Sequence, residues 1–344
     1  MSKIQTIHTP GKLQNLAING ALDYWQEKVG TTTTVNTAST ASGYSADMLA
    51  YQSGGTNVKN YSVVRSTDVP LFSQSGFDAI YSASFSVITG IPSLAAGDYI
   101  NPFWYKMEGF DYSSIHGKTV TFGFWFRSSI VGSYSFSLLG GSGRSYVTSF
   151  QVLSDNTWEF KSITVKMDVG GTWSFDSSMA LQVFIAGTSG STNTTNSTNQ
   201  WLSGVFLNAS GTVNWMQTGA LMRMSMLSIV EGSLGFGPKG FQRAGATVQQ
   251  ELALCQRYYE KSYGVEVVPG ATAQTGDGIK LLAQTANDFY DLGKIRFAVN
   301  KRAVPSVQTY NAQSGTSGQL YNFSVGGAQG NAGIANNSWY GFFI

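Results

Sequence analysis

The sequence predicts an all-β protein: a sandwich or barrel, one short linking helix and a smaller β unit behind it. Apolar residues recur at every second position over most of the chain, the period of a strand with one buried face. Forty glycines, with abundant Ser, Thr and Asn, interrupt these runs at short intervals, as tight turns require. Charged residues make up 12% of the chain, about half the ~25% usual in soluble domains, which leaves few ion pairs to support exposed helices. With 344 residues, 42% of them hydrophobic, there is ample material for a core.

The alternation runs from about Tyr61 to Val230. In 81–89, Tyr81, Ala83, Phe85 and Val87 alternate with serines. In 119–127, Val120, Phe122, Phe124 and Phe126 share one face, with Thr119, Thr121, Trp125 and Arg127 on the other. Tyr134, Phe136 and Leu138 again alternate with serines. Between Trp158 and Met167 the phase slips, from Trp158 and Phe160 to Ile163, Val165 and Met167, which predicts a bulge near Ser162. Segment 179–186 reads as a strand buried on both sides, and Met222, Met224 and Met226 as one face of a late strand. Gly140–Gly143, Gly170–Gly171 and the polar stretch 187–200 are the turns and loops between them.

A helix is expected at 248–261. Thr247 and Gln250 have capping-box spacing, and Val248, Leu252, Cys255 and Tyr259 form one stripe. The domain boundaries that follow are 1–14 as an N-terminal docking segment, 15–235 as the sandwich, 236–262 as linker and helix, and 263–344 as a small C-terminal β domain. In the last of these, Ile295, Phe297 and Val299 alternate with polar or small residues, and Val307, Tyr321, Phe323 and Val325 suggest further strands. The apolar ending, Trp339 to Ile344, is expected to be buried.

Charge and composition exclude several classes. Net charge is +2 with no cluster of Lys or Arg, so a nucleic-acid partner is not expected. No segment is long and apolar enough to insert in a membrane, and 1–13 lacks the apolar stretch of a signal peptide. The single cysteine, Cys255, forms no intrachain disulfide and reads as a small buried residue. Synthesis in a reducing cytoplasm, with exit by lysis, particle assembly or a signal-less route, is the expectation.

Gly240-Phe241-Gln242-Arg243, followed by Glu251-Leu252-Ala253-Leu254-Cys255-Gln256-Arg257-Tyr258-Tyr259-Glu260-Lys261, closely resembles a signature of bacteriophage tail-fibre and related virion proteins. Asn15–Gly20 with Tyr24-Trp25-Gln26, then Tyr44-Ser45-Ala46-Asp47, is similar to the opening of their domains. Gly117–Trp125, Asn156-Thr157-Trp158 and Leu227–Gly232 resemble their later strands. Ile295–Arg302, Val304–Val307 and Tyr310-Asn311 resemble their small C-terminal unit. The likeness covers nearly the whole chain from Asn15. It implies a jelly roll similar to carbohydrate-binding modules followed by a small β domain, often trimeric. It also implies contact with host cell-surface polysaccharide and with other virion proteins through the N-terminal segment. Met48-Leu49 departs from the Arg-Trp that relatives often carry, and little precedes Asn15, which leaves the attachment point open.

Catalysis has little to work with. His8 lies in the extended leader and His116 in a turn, and neither is placed as a base. Two histidines and one cysteine do not make a conventional zinc site. Acids are present, among them Asp98, Glu108, Asp111, Asp155, Glu159, Asp168 and Asp176, but no spacing singles out a glycosidase pair. Asp98, Glu108 and Asp111 lie in turn-like segments, either as solvated acids or as possible ligands of a structural Ca²⁺; no other cofactor is implied.

Glycan binding suits the residue types better. Sugar C–H faces pack on aromatic rings while hydroxyls seek Asn, Asp or Gln. The candidates are Trp104 and Tyr105 beside Lys106, Trp201 after the Asn/Thr-rich loop, Trp215 beside Asn214, and Tyr310, Trp339 and Tyr340 in the C-terminal unit. Each has an alternative role in core or subunit interface. The expectation is a non-enzymatic, trimeric fibre or receptor-binding component of a virion. A purely architectural head-fibre, decoration or tail-tip subunit is the alternative, and a polysaccharide depolymerase the third.

Overall fold

A computed structural model describes residues 14–232, 237–272, 294–322, 327–329 and 335–343. The expected docking segment 1–14 lies outside them except for its last residue, as do His8, Phe323, Val325 and Ile344.

The strands of the main unit are β1 (Thr33–Thr37), β2 (Ala41–Ala46), β3 (Leu49–Gly54), β4 (Lys59–Ser66), β5 (Ser82–Thr89), β6 (Tyr99–Glu108), β7 (Thr119–Ser128) and β8 (Gly132–Gly140). They continue with β9 (Arg144–Val152), β10 (Glu159–Lys166), β11 (Met179–Ser189), β12 (Thr194–Thr195), β13 (Trp201–Ser203), β14 (Asn208–Ala209) and β15 (Leu221–Glu231). Two antiparallel sheets face each other as a jelly-roll sandwich, in the orders β1-β4-β5-β15-β7-β10 and β13-β9-β8-β11-β6-β3-β2. The alternation seen in the sequence supplies the inner faces. Phe85, Phe122, Phe124, Phe126, Phe103 and Phe136 are fully buried between the sheets. The rings meet edge to face or offset, as Phe103 on Phe126 at 6.3 Å and Phe122 on Phe136 at 5.3 Å.

Two expectations about phase are corrected. β10 pairs with β7 without interruption from Glu159↔Phe126 to Lys166↔Thr119, so there is no bulge at Ser162. Even-numbered Trp158 and Phe160 pack outside on Trp125, while odd-numbered Ile163, Val165 and Met167 face the core. The apparent slip is one regular strand with apolar residues on both faces. The bulge lies instead in β15, where the register with β7 shifts between Ser225 and Ser228 and Met226 adopts a left-handed φ of 54°. Met222 and Met224 therefore reach the main core, while Met226 joins the outer cluster with Trp125.

Two one-turn helices, α1 (Phe72–Ser75) and α2 (Gly109–Ser113), accompany the expected one, α3 (Val248–Gln256). The Thr247–Gln250 capping box forms as predicted. The helix ends at Gln256 rather than at 261, because Arg257 and Tyr258 turn aside to the buried Glu108. The guanidinium is bidentate at 2.6 and 3.0 Å, and the phenol donates at 2.6 Å. Val248 is exposed; Cys255 and, unexpectedly, Glu251 are the buried residues of the helix.

The residues that carry the sequence resemblance converge on one buried polar joint. Glu251 accepts the N–H groups of Asn19 and Gly245, both at 2.5 Å. Asn15 donates to the carbonyls of Leu227 and Gln242 and accepts from Ala17 and Ile229. Asp47 accepts the backbone and side-chain N–H of Gln26, Arg243 pairs with Asp23, and Tyr24 donates to the Val248 carbonyl. Gly20 is required here: a Cβ on it would lie 2.1 Å from the Leu227 carbonyl oxygen.

Beyond the helix, β16 (Lys294–Arg296), β17 (Leu320–Asn322), β18 (Gly327–Gln329), β19 (Ala335–Ser338) and β20 (Gly341–Phe343) form a three-stranded sheet, β16-β20-β19, and a separate hairpin, β17-β18. Val307 lies in a loop. The expectation of a buried terminus fails at Trp339 and Tyr340, which are 57% and 54% exposed on the turn joining β19 to β20.

Candidate functional site

The sandwich has a cleft where its two sheets come together at one edge. β13 is the outermost strand of the seven-stranded sheet and β10 the last strand of the six-stranded one. Trp201, at the start of β13, pairs in register with Tyr146. Its indole Nε1 donates to the Lys166 carbonyl at 2.8 Å, tying one sheet to the other. The Trp201 ring lies 5.7 Å from Tyr146 and meets Trp173 edge-on at 5.8 Å. Trp173 is fixed in turn, stacked on buried Tyr112 at 4.5 Å and donating to the Gly170 carbonyl. The indole is thus held in place before any ligand arrives.

Polar groups surround it. Asn199 has a left-handed φ of 61°; its N–H bonds the Val147 carbonyl and its Oδ1 accepts from Thr148, which holds the end of the β12–β13 connection on β9. That presents the exposed Gln200 at the rim. Asp168 is bound by Arg144 at 2.5 Å and by the Gly170 N–H. Burial alone would raise its carboxyl, but these donors outweigh it and hold the group below the usual carboxylate range. Tyr146, Lys166, Met167, Asp168, Val169, Asn199, Gln200 and Trp201 border an open hollow of about 400 Å³.

A second depression of about 290 Å³ lies on the outer face of the seven-stranded sheet, around the β8–β9 turn. Leu139, Met179, Ala180 and Val205 contribute apolar surface, and Thr172, Ser174 and Gln182 polar groups. Glycine is needed at the turn because Trp173 packs beneath it. A Cβ on Gly140 or Gly141 would lie 2.4 or 2.7 Å from that indole.

Of the aromatics singled out from sequence, Trp201 lines one of these two depressions. Trp104 stands on the outer face, in a row Tyr44–Ala50–Trp104–Phe184–Ser137 set by strand pairing. Its ring is stacked on Phe184 at 5.9 Å and covered by the Lys106 ammonium at 3.7 Å, so the protein's own groups use its faces. Tyr105 points the other way, into the core; its hydroxyl accepts from Ile18 and donates to Leu16. Trp215 is fully buried against Phe85, with Nε1 on the Ala186 carbonyl. Neither Tyr105 nor Trp215 can reach a ligand. Tyr310 is half-buried beside Tyr263, and Trp339 and Tyr340 stand on the C-terminal hairpin. Sequence reasoning missed Tyr146, Trp173, Gln200 and Gln182. Gly170-Gly171 just before Trp173 were the one local signal, marking a tight turn that the Trp173 indole closes on the Gly170 carbonyl.

Two of the three calcium candidates are otherwise engaged. Asp98 is fully buried, where Lys59 Nζ at 2.7 Å and the N–H groups of Thr56, Asn57 and Ala95 saturate it. Glu108 is taken by Arg257 and Tyr258. Among the described residues no group of three or more His, Cys, Asp or Glu side chains could hold a metal ion. His116 is packed rather than solvated, in a cluster with Tyr112, Trp173 and Phe175.

No protein-family model matches the chain, and no curated protein matches it. Solved structures do. One is the enzymatically active domain of tailspike protein 4 of bacteriophage CBA120, at 13% identity and a TM-score of 0.32, covering 63% of this chain and 21% of that one. Another is the family 11 carbohydrate-binding module from Clostridium thermocellum in complex with a mixed-linked tetrasaccharide, at 14% identity and a TM-score of 0.31, covering 58% of this chain and 99% of the module. The chain thus spans about a fifth of the tailspike domain's length, and what these proteins bind or cleave is said of them alone.

Proposed function

We propose that the protein is a non-enzymatic glycan-binding component of a virus particle, a fibre or receptor-binding tip, and that the sheet-edge cleft around Trp201 holds the sugar. The observation that carries this is an indole clamped through Nε1 to Lys166, set in a cleft with the Gln200 amide at its rim. An aromatic platform gives the apolar C–H face of a sugar a surface to pack on, and the amide meets its hydroxyls. One such site is weak. Three copies in a trimer bind a repeating polysaccharide with an avidity that needs no new contact.

Binding rather than cleavage is supported by the acids. Asp168 is the one carboxylate lining either depression among the described residues, and Arg144 keeps it ionised. Glycoside hydrolysis needs two carboxylates, one able to donate a proton. The virion setting is supported by the helix signature and the opening motifs.

The test is retention of the intact protein on an array of bacterial surface glycans, with Trp201→Ala and Gln200→Ala alongside and circular dichroism as the check on folding. The reading expects retention by the wild type and a loss of about tenfold or more in Trp201→Ala. Equal retention of folded Trp201→Ala refutes it.

The architectural reading is favoured by one feature. Phe110, Phe175 and Val169 are 56%, 48% and 70% exposed around the His116–Gly117 turn, as subunit contacts would be. An array blank for the wild type, with an assembly that Phe110→Ser and Phe175→Ser dissolve in light scattering, supports that reading.

A further inference from the structure

The Trp201 cleft and the depression at the β8–β9 turn share one stretch of surface. β13 and the two residues after it run from the first toward the second: Trp201 lines one and Val205 the other. Between them the chain is fixed. Ser203 pairs with Arg144 and accepts its guanidinium at 3.0 Å, and the Gly204 N–H bonds the Gly143 carbonyl at 2.7 Å. The two hollows also rest on the same support. Trp173 meets Trp201 edge-on on one side and lies under Gly140 and Gly141 on the other.

The second hollow has its own recognition chemistry. Leu139, Ala180 and Val205 are apolar. The Thr172 and Ser174 hydroxyls and the Gln182 amide line it, and among the described residues none makes a hydrogen bond to any of these three side chains. Apolar side chains interspersed with unclaimed hydroxyl and amide groups are what a sugar ring needs from a site lacking an aromatic platform.

We propose that the β8–β9 depression is a second subsite, and that the ligand is an extended polysaccharide chain lying along β13 from Trp201 to Gln182. This rests on the reading of the Trp201 cleft as a glycan site. It makes the protein a reader of internal chain segments, since a mono- or disaccharide fills the first hollow and leaves the second empty. The segment between the hollows crosses Arg144, whose charge is balanced by Asp168, and the exposed Lys166 stands at its Trp201 end.

The experiment is retention on an array of capsular and O-chain polysaccharide fragments printed as disaccharides through octasaccharides. The wild type, Trp201→Ala, the double variant Thr172→Ala/Gln182→Ala, and Val205→Trp are compared, the last filling the hollow from an exposed position. The wild type is expected to retain long fragments at least about tenfold better than disaccharides, since linked subsites share one entropic cost. The double variant and Val205→Trp should lose that advantage while keeping the short-fragment signal; Trp201→Ala should lose both. Retention that ignores length, or a length advantage untouched in both second-subsite variants, overturns the second subsite and leaves the Trp201 reading standing. Retention unchanged in Trp201→Ala overturns that reading itself, and the path with it.

Discussion

Removing Glu251 should unlock the helix from the sandwich. Its carboxylate is fully buried and accepts two backbone N–H groups, Asn19 from the first turn and Gly245 from the approach to α3. Hydrogen bonds to a charged group are each worth about 1.5–3 kcal/mol, and an unpaired buried N–H costs about 1–3 kcal/mol. Against this stands the cost of burying the charge, which pushes the Glu251 carboxyl above its ordinary value. Glu251→Ala should therefore lose about 3 kcal/mol, and Glu251→Gln, which keeps one acceptor oxygen, about half of that. Urea unfolding followed by tryptophan fluorescence measures both. Glu251→Ala within about 0.5 kcal/mol of wild type, or Gln worse than Ala, refutes the claim that this carboxylate holds the joint.

Three further outcomes are expected. Lys59→Met strands the buried Asp98 carboxylate and should cost about 3–5 kcal/mol in the same urea assay, while Lys59→Met/Asp98→Asn recovers part of it; an equal or larger loss in the double variant contradicts the pairing. Burial pushes Asp47 up to about 6 from an ordinary value of 3.8, against the opposing N–H donors of Gln26. A raised folded-state value means that its contribution is full below about pH 4 and is lost as pH rises through about 6. Stability should accordingly fall by about 3 kcal/mol over that window from this group, and Asp47→Asn should flatten the slope in a pH series of melts. Cys255 is buried and its thiol pushed well up by burial, so an aromatic disulfide reagent should label it only on unfolding; rapid native labelling contradicts this.

Much of the sandwich was legible because alternation reports which residues share a face. Val120 to Phe126 and Tyr134 to Leu138 are the two inner faces, as read. What alternation leaves undetermined is whether the other face is also covered, and the errors came from there. Trp158 and Phe160 looked like a slip because an outer apolar cluster was invisible in one strand's pattern, and Met226 looked continuous with Met224 because a bulge has no signature of its own. The site was less legible. Trp104 and Tyr105 are neighbours with opposite fates, one on the outer face and one in the core. Trp215, beside a polar Asn214, reads as a loop residue yet is fully buried. Trp201 acquires its setting from Tyr146, Trp173 and Lys166, which are distant in sequence and brought near by sheet order.

Nuclear magnetic resonance of the indole N–H groups, on adding a glycan that the array retains, addresses ligand placement directly. Eight tryptophans give eight possible reporters, and single Trp→Phe variants assign them. The Trp201 resonance should move with saturating dependence on glycan while buried Trp215 stays still. A glycan that shifts other indoles and leaves Trp201 unmoved would place the sugar elsewhere.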